Sequence, residues 1–121
     1  MDLFDYFENT KGIGILSTAS AKGIVDAAIY ARPHFIDEKI CAFIMSNKLT
    51  HKNLTQNPNA VYLFLENTKE YKGKRLYLEK IKDSEDKELI NKLRRRKYSR
   101  EETNRAKKFL TYFQVKSVRT L

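Results

Sequence analysis

The chain has 121 residues, 41% of them hydrophobic and 32% charged, with a net charge of +9 and a single cysteine. That length fits one compact domain, residues 1–121, and excludes two ordinary ones. No run approaches the roughly 18 apolar residues of a membrane-spanning helix, and the acidic start MDLFDYFENT lacks the basic opening of a signal peptide, so a cytoplasmic protein is expected.

The opening LFDYFEN places Leu3, Phe4 and Phe7 at helical spacing and predicts a short amphipathic helix. GIGILSTAS reads as a strand, followed by a turn at AKG in which Gly23 can take a positive φ. One long strand is then expected over IVDAAIYARPHFI, with Pro33 at an edge or bulge because it has no amide to donate. A second turn at DEK, residues 37–39, leads into ICAFIMS, apolar enough to be buried on both faces. Cys41 lies within it and reads as a buried thiol rather than a nucleophile. Cys41, His34 and His51 do not have the spacing of a zinc site.

Thr50 is placed to cap a short helix over HKNLTQN that Pro58 ends. AVYLFLEN and KRLYLEKIK are further strands. SEDKELINKLRRRKY predicts a helix with Ser84 as its cap, acids in its first turn and cations in its last, an order that suits the helix dipole. Ser99 and Glu102 match a capping box for another helix over EETNRAKK. The closing FLTYFQVKSVRTL is a sixth strand. Six strands with tight early turns and few strand-helix-strand crossovers predict an antiparallel barrel or roll with peripheral helices, and no dinucleotide or P-loop glycine motif occurs.

Two features bear on function. The first is SNKLTHKNLTQNPNA, where hydroxyls, amides and cations follow an apolar strand. If Thr50 starts a helix, the next amides, a hydroxyl and Lys52 make the kind of corner that holds a phosphate; the plainer reading is a helix cap beside a solvated lysine. The second is charge asymmetry. Residues 1–71 carry 7 Lys/Arg against 8 Asp/Glu, and residues 72–121 carry 17 against 7. Such an excess can attract nucleic acid or another polyanion, or form a solvated face.

The motifs ILSTASAKGIVDAA, DEKICAFIMS and THKNLTQNPNAV, in this order and spacing, resemble those of the pyridoxamine 5′-phosphate oxidase-like family, the FMN-binding split barrels, and the length resembles its minimal FMN-binding proteins. The resemblance is motif by motif over roughly residues 1–66 and looser beyond. It implies a mainly β chain, a six-stranded antiparallel split β-barrel, binding FMN in a groove at a homodimer interface. Thr50 and Lys52 match the family's positions beside the FMN phosphate, and Ser46 matches a hydroxyl at the end of the preceding strand. His51 stands where the oxidases often have arginine, and Asn53 would hold the helix start. Ile29, Tyr30, Ala31 and Arg32 match the strand beside the flavin ring, with Arg32 as a second phosphate or ribityl contact, and Tyr30 and Met45 would pack on the cofactor. The C-terminal strand lacks the Arg-x-His pair of true pyridoxamine phosphate oxidases, so that activity is not expected. The resemblance thus implies an oxidoreductase or electron carrier with no assigned catalytic residue and a small-molecule donor or acceptor such as NAD(P)H. Two alternatives stand beside it. One is a nucleic-acid-binding module using residues 72–108 with Tyr71, Tyr77 and Tyr98 for stacking; the other is the same barrel holding haem or a deazaflavin.

Overall fold

The computed structural model describes residues 2–94 and 107–121. Among them are three helices, α1 (Leu3–Asn9), α2 (Leu49–Gln56) and α3 (Lys87–Leu93), and seven strands. The strands are β1 (Gly12–Ala19), β2 (Val25–Tyr30), β3 (His34–Phe35), β4 (Ile40–Ser46), β5 (Asn59–Glu66), β6 (Gly73–Ser84) and β7 (Lys108–Thr120). They form one antiparallel sheet in the order β2-β1-β5-β6-β7-β4-β3.

The strand count is seven rather than six because the stretch expected as one strand breaks between Tyr30 and His34. Pro33, fully buried, supplies no amide for a ladder at the break. Arg32 turns aside beside it and donates to the carbonyls of Phe7 at 2.7 Å and Thr10 at 2.9 Å. It thereby satisfies carbonyls at the C-terminal end of α1, where a helix leaves acceptors without intrahelical partners. The expected cap of α3 also moves: β6 runs through Ser84, and Asp86 caps the helix by accepting from the amide of Leu89 at 3.2 Å. Residues 101–106 of the helix expected over EETNRAKK lie outside the described residues, and its last residue, Lys108, begins β7.

The inward faces of the strands carry Leu16, Phe43, Tyr62, Phe64, Leu76 and Phe113, all within 1% of full burial. Phe7 of α1 closes this core, stacked on Phe35 at 5.8 Å and edge-on to Phe64 at 5.2 Å. Cys41 is fully buried, and burial pushes its thiol pKa up to about 12, so it stays protonated as core filling.

The sheet curls until its two ends meet. Tyr62, on central β5, donates to the backbone carbonyl of Tyr30 on β2 at 3.1 Å. The Tyr30 ring stands edge-on to Phe43 of β4 at 6.1 Å, and Phe43 packs on Tyr62 at 4.9 Å. β2, at one end of the order, and β4, next to the other end, are thus joined through one aromatic cluster. Gly14 makes room for it, because a Cβ there would overlap the Tyr62 phenol. Gly14→Ala is expected to cost about 1–3 kcal/mol, the usual range for overpacking a filled core, measured by urea denaturation against the unsubstituted protein.

Candidate functional site

A groove of about 650 Å³ opens where the sheet ends face one another, within the roughly 300–1,000 Å³ range of small-molecule sites. One wall is β2, of which five consecutive residues, Asp26 to Tyr30, line it together with Ala31 just after the strand. A strand presents consecutive residues through its edge rather than a face, and β2 is a terminal strand with β1 as its only ladder partner among the described residues. Its outer row of amides and carbonyls therefore borders the groove. The opposite wall holds His34, Ile44, Ser46, Arg94 and Lys108, and the start of α2 contributes Lys48, Leu49 and Thr50. A second depression of about 490 Å³ shares Asp26 and Leu49 with the first and is lined also by Lys22, Lys52, Asn53 and Gln56.

The start of α2 differs from the sequence expectation. Lys48, extended at φ −129°, is the N-cap, and no side chain caps the helix. Thr50 is the second helical residue and is buried. Burial raises the Tyr30 pKa, and the Thr50 side chain opposes the rise. Thr50 lies inside the first turn rather than before it, so it does not serve as the cap. The first intrahelical bond runs from the Lys52 amide to the Lys48 carbonyl at 3.0 Å, which places the amides of Leu49, Thr50 and His51 in the turn where a helix has donors to offer.

The structure gathers Ile29, Tyr30, Ala31, Ser46 and Thr50 around the groove and puts Lys52 in the adjoining depression. Three other residues are placed elsewhere. Met45 is a core residue at 1% exposure, Arg32 is bonded to the end of α1, and His51 points to the other side of α2. There His51 stacks on Phe109 with centroids 3.7 Å apart and planes within 10°. Its Nε2 lies 3.0 Å from Asp83 Oδ2, which also accepts from Lys80 at 2.9 Å, while Oδ1 accepts from Thr111 at 2.7 Å. Asn53 donates to Thr18 at 3.1 Å and binds α2 to β1. Sequence reasoning missed Lys48, Arg94 and Lys108. Lys48 stood inside the stretch already singled out, but Lys108 had no local signal: it reaches the groove because β7 pairs with β4 in the register Ser46↔Lys108.

Several cations of the basic half have structural partners. Lys74 is buried with its ammonium 4.6 Å from the centre of the Tyr6 ring, Lys82 lies 4.9 Å over Tyr112, and Lys80 is bonded to Asp83. Arg75 and Arg119 flank Tyr77 and lower its pKa through hydrogen bonds. Tyr71 is exposed, and Tyr98 lies outside the described residues. No helix among the described residues is long and apolar enough to cross a membrane.

Among solved structures, the chain is similar to an FMN-binding protein from Syntrophomonas wolfei, at 21% identity, covering 99% of this chain and 84% of that one with a TM-score of 0.79. It is similar to an F420 reductase, at 11% identity with 96% and 95% covered and a TM-score of 0.75. HutZ, the haem storage protein from Vibrio cholerae, follows at 11% identity, 95% and 89% covered, and a TM-score of 0.66. The fold is the split barrel of the pyridoxamine 5′-phosphate oxidase-like proteins. No family model and no curated protein matches the sequence. Split barrels similar to this one thus include proteins named for FMN, for F420 and for haem.

The Asp83 cluster makes a pH-dependent contribution to stability. Burial would raise the Asp83 pKa, and the hydrogen bonds from Thr111, Lys80 and His51 outweigh it, so the pKa lies below its ordinary 3.8. A carboxyl whose folded pKa is depressed stabilises the fold fully above its unfolded value and loses that contribution as pH falls through the folded value. Asp83→Asn is expected to lower stability at pH 7 by about 1–3 kcal/mol. In thermal melts, the gap between the two proteins should narrow as the pH is taken from 5 down to about 2.

Proposed function

We propose that this split barrel binds FMN in the groove between β2 and β4 and works as an oxidoreductase or electron-transfer protein. The observation that carries the reading is the groove itself, with a strand edge on one side and the amide end of α2 at its foot. Its lining fits such a cofactor in kind. Ala27, Ala28, Ile29, Ala31, Ile44 and Leu49 offer apolar surface for a flat ring, and the open edge of β2 offers backbone donors and acceptors for polar atoms at the ring's rim. The Leu49, Thr50 and His51 amides, with Lys48 and Lys52 beside them, suit a phosphate at a helix start.

When bound, FMN supplies the redox chemistry. The chain's part is placement and dielectric. Tyr30, held by the edge-on contact with Phe43 and by the Tyr62 hydrogen bond to its carbonyl, gives the groove a rigid floor. The aliphatic lining excludes water, which strengthens the electrostatic contacts made there.

The protein as purified is expected to be yellow, or to become so with added FMN. Replacing Thr50 and Lys52 together by alanine should weaken FMN binding at least tenfold in a fluorescence-quenching titration. A spectrum without flavin bands after incubation with FMN would overturn the reading, and a Soret band appearing with added haem would redirect it.

We also propose a homodimer through the outer face of β2, β1 and β5. Cross-strand neighbours Ile15 with Ile29, Ile15 with Leu63, and Ile13 with Leu65 build an uncharged apolar strip on it. Ile13 is 61% exposed and Ile29 79%, more than scattered surface residues need. Ile29 belongs to both the strip and the groove, so a second copy seated on the strip borders the cofactor. Light scattering should give twice the chain mass, and Ile13→Glu should shift it toward the monomer.

A further inference from the structure

We propose that Arg75, Arg119 and Tyr77 form an oxyanion clamp on the outer face of the sheet, one that takes a carboxylate or phosphate group. None of the three lines the cofactor groove, so the clamp stands or falls apart from the FMN reading.

The ladder between β6 and β7 sets Arg75 directly opposite Arg119, and Tyr77 opposite Ser117. Side chains alternate with a period of two, so these four share one face. It is the face of the apolar strip: Ile29, Ile15, Leu63, Arg75 and Arg119 form a single cross-strand row over β2, β1, β5, β6 and β7. Like charges directly opposite in a sheet repel, and an acid beside them would offset this. The chain supplies none. The β5 neighbours of Arg75 and Tyr77 are Leu63 and Val61, and β4 pairs with β7 only as far as Gln114, so no described strand flanks Arg119 on its other side. Among the described residues no ion pair joins either guanidinium to a carboxylate. The acid that follows on this face of β6, Glu79, is set against Asn59 and Gln114 instead.

The phenol of Tyr77 is what the two cations share. Arg75 and Arg119 hold its pKa below the usual 10, as expected of a phenol beside two positive charges. Each guanidinium presents a fork of N–H donors, and one phenol oxygen can accept few of them, so donors are left over for a ligand. Two such forks at one place suit an oxyanion, which a guanidinium pairs with bidentately. Arg75 is half-buried and Arg119 exposed, so the approach from solvent is open. Beside Tyr77 lies a depression of about 480 Å³, lined also by Ser17, Asn59, Val61 and Lys116 and by no carboxylate. It leaves room for the body of a molecule whose anionic group is held by the arginines.

The test reads Tyr77 itself. Its ionisation is followed by tyrosinate absorbance, as the difference between the protein and Tyr77→Phe. The titration is run with and without inorganic phosphate at constant ionic strength, so that the general attraction of a +9 chain is held fixed. Phosphate between the guanidiniums offsets the charge that favours the phenolate, so the Tyr77 pKa should rise toward 10 as phosphate is added. Arg119→Gln should weaken this response to phosphate about tenfold, and Arg75→Gln combined with Arg119→Gln should abolish it. Matching circular dichroism melts will show that the variants are folded. The same titration of Ile13→Glu separates two sources of the anion: a response in the unsubstituted protein assigns the clamp to a free ligand, and a response in Ile13→Glu alone assigns it to a carboxylate of the second copy. No response in either protein, or an undiminished one in the double arginine variant, would overturn the clamp.

Discussion

The fold depends on a closure: the two ends of one sheet are brought together by the cluster Tyr62, Tyr30 and Phe43. A seven-strand antiparallel sheet could lie open with both terminal strands facing water. Here the Tyr62 hydroxyl of a central strand reaches the Tyr30 carbonyl, and the Tyr30 ring meets Phe43 on the far side of the order. Buried aromatic rings contribute large apolar area and prefer edge-on contacts of this kind. The phenol's polar end must also find a partner when buried, and the β2 carbonyl supplies it. Closure at this point leaves the edge of β2 bordering a cavity, so the same contacts that complete the core define the groove.

Within that frame α2 is held from two sides. Asn53 bonds Thr18 on β1, and His51 is clasped by Asp83 of β6 and the ring of Phe109 of β7. Leu54 adds a buried apolar contact between these polar ones. An eight-residue helix is too short to persist by itself, so its direction is set by these anchors. They fix where its first amides point. His51 therefore matters to the groove at one remove: it stabilises the helix whose start lies there, while its ring lies on the other side.

The strand pattern was largely legible because its signals are local: KRLYLEKIK alternates with a period of two, and ICAFIMS and AVYLFLEN are short apolar, β-branched and aromatic runs. Pro33 marked an irregular place, but as an edge or bulge of one long strand rather than the break the structure has there. The break depends on Arg32 reaching α1, a contact across 25 residues that no window reveals. Thr50 was read as a cap on residue type alone, and the helix starts one residue earlier than that reading placed it, with Lys48 as its N-cap. His51 and Lys52 are sequence neighbours that a helix points in different directions, so their shared motif did not mean a shared surface. Ser46 was visible as the hydroxyl that ends a strand. Lys108 was not, since only the β4–β7 register brings it alongside.

The charge asymmetry acquires a different meaning once the chain is folded. A basic half read along the sequence suggests a single cationic face, yet Lys74 lies under Tyr6, Lys80 is drawn to Asp83, and Arg75 and Arg119 share Tyr77. These cations are spread over different strands and faces, and each meets a ring, a phenol or a carboxylate. Lys48, Arg94 and Lys108 come from three elements to line one concave surface. Charges converging in a cleft with low-dielectric walls focus potential far more than the same number spread over a convex surface. If the groove holds an anionic ligand as proposed, these are the described cations placed to act on it.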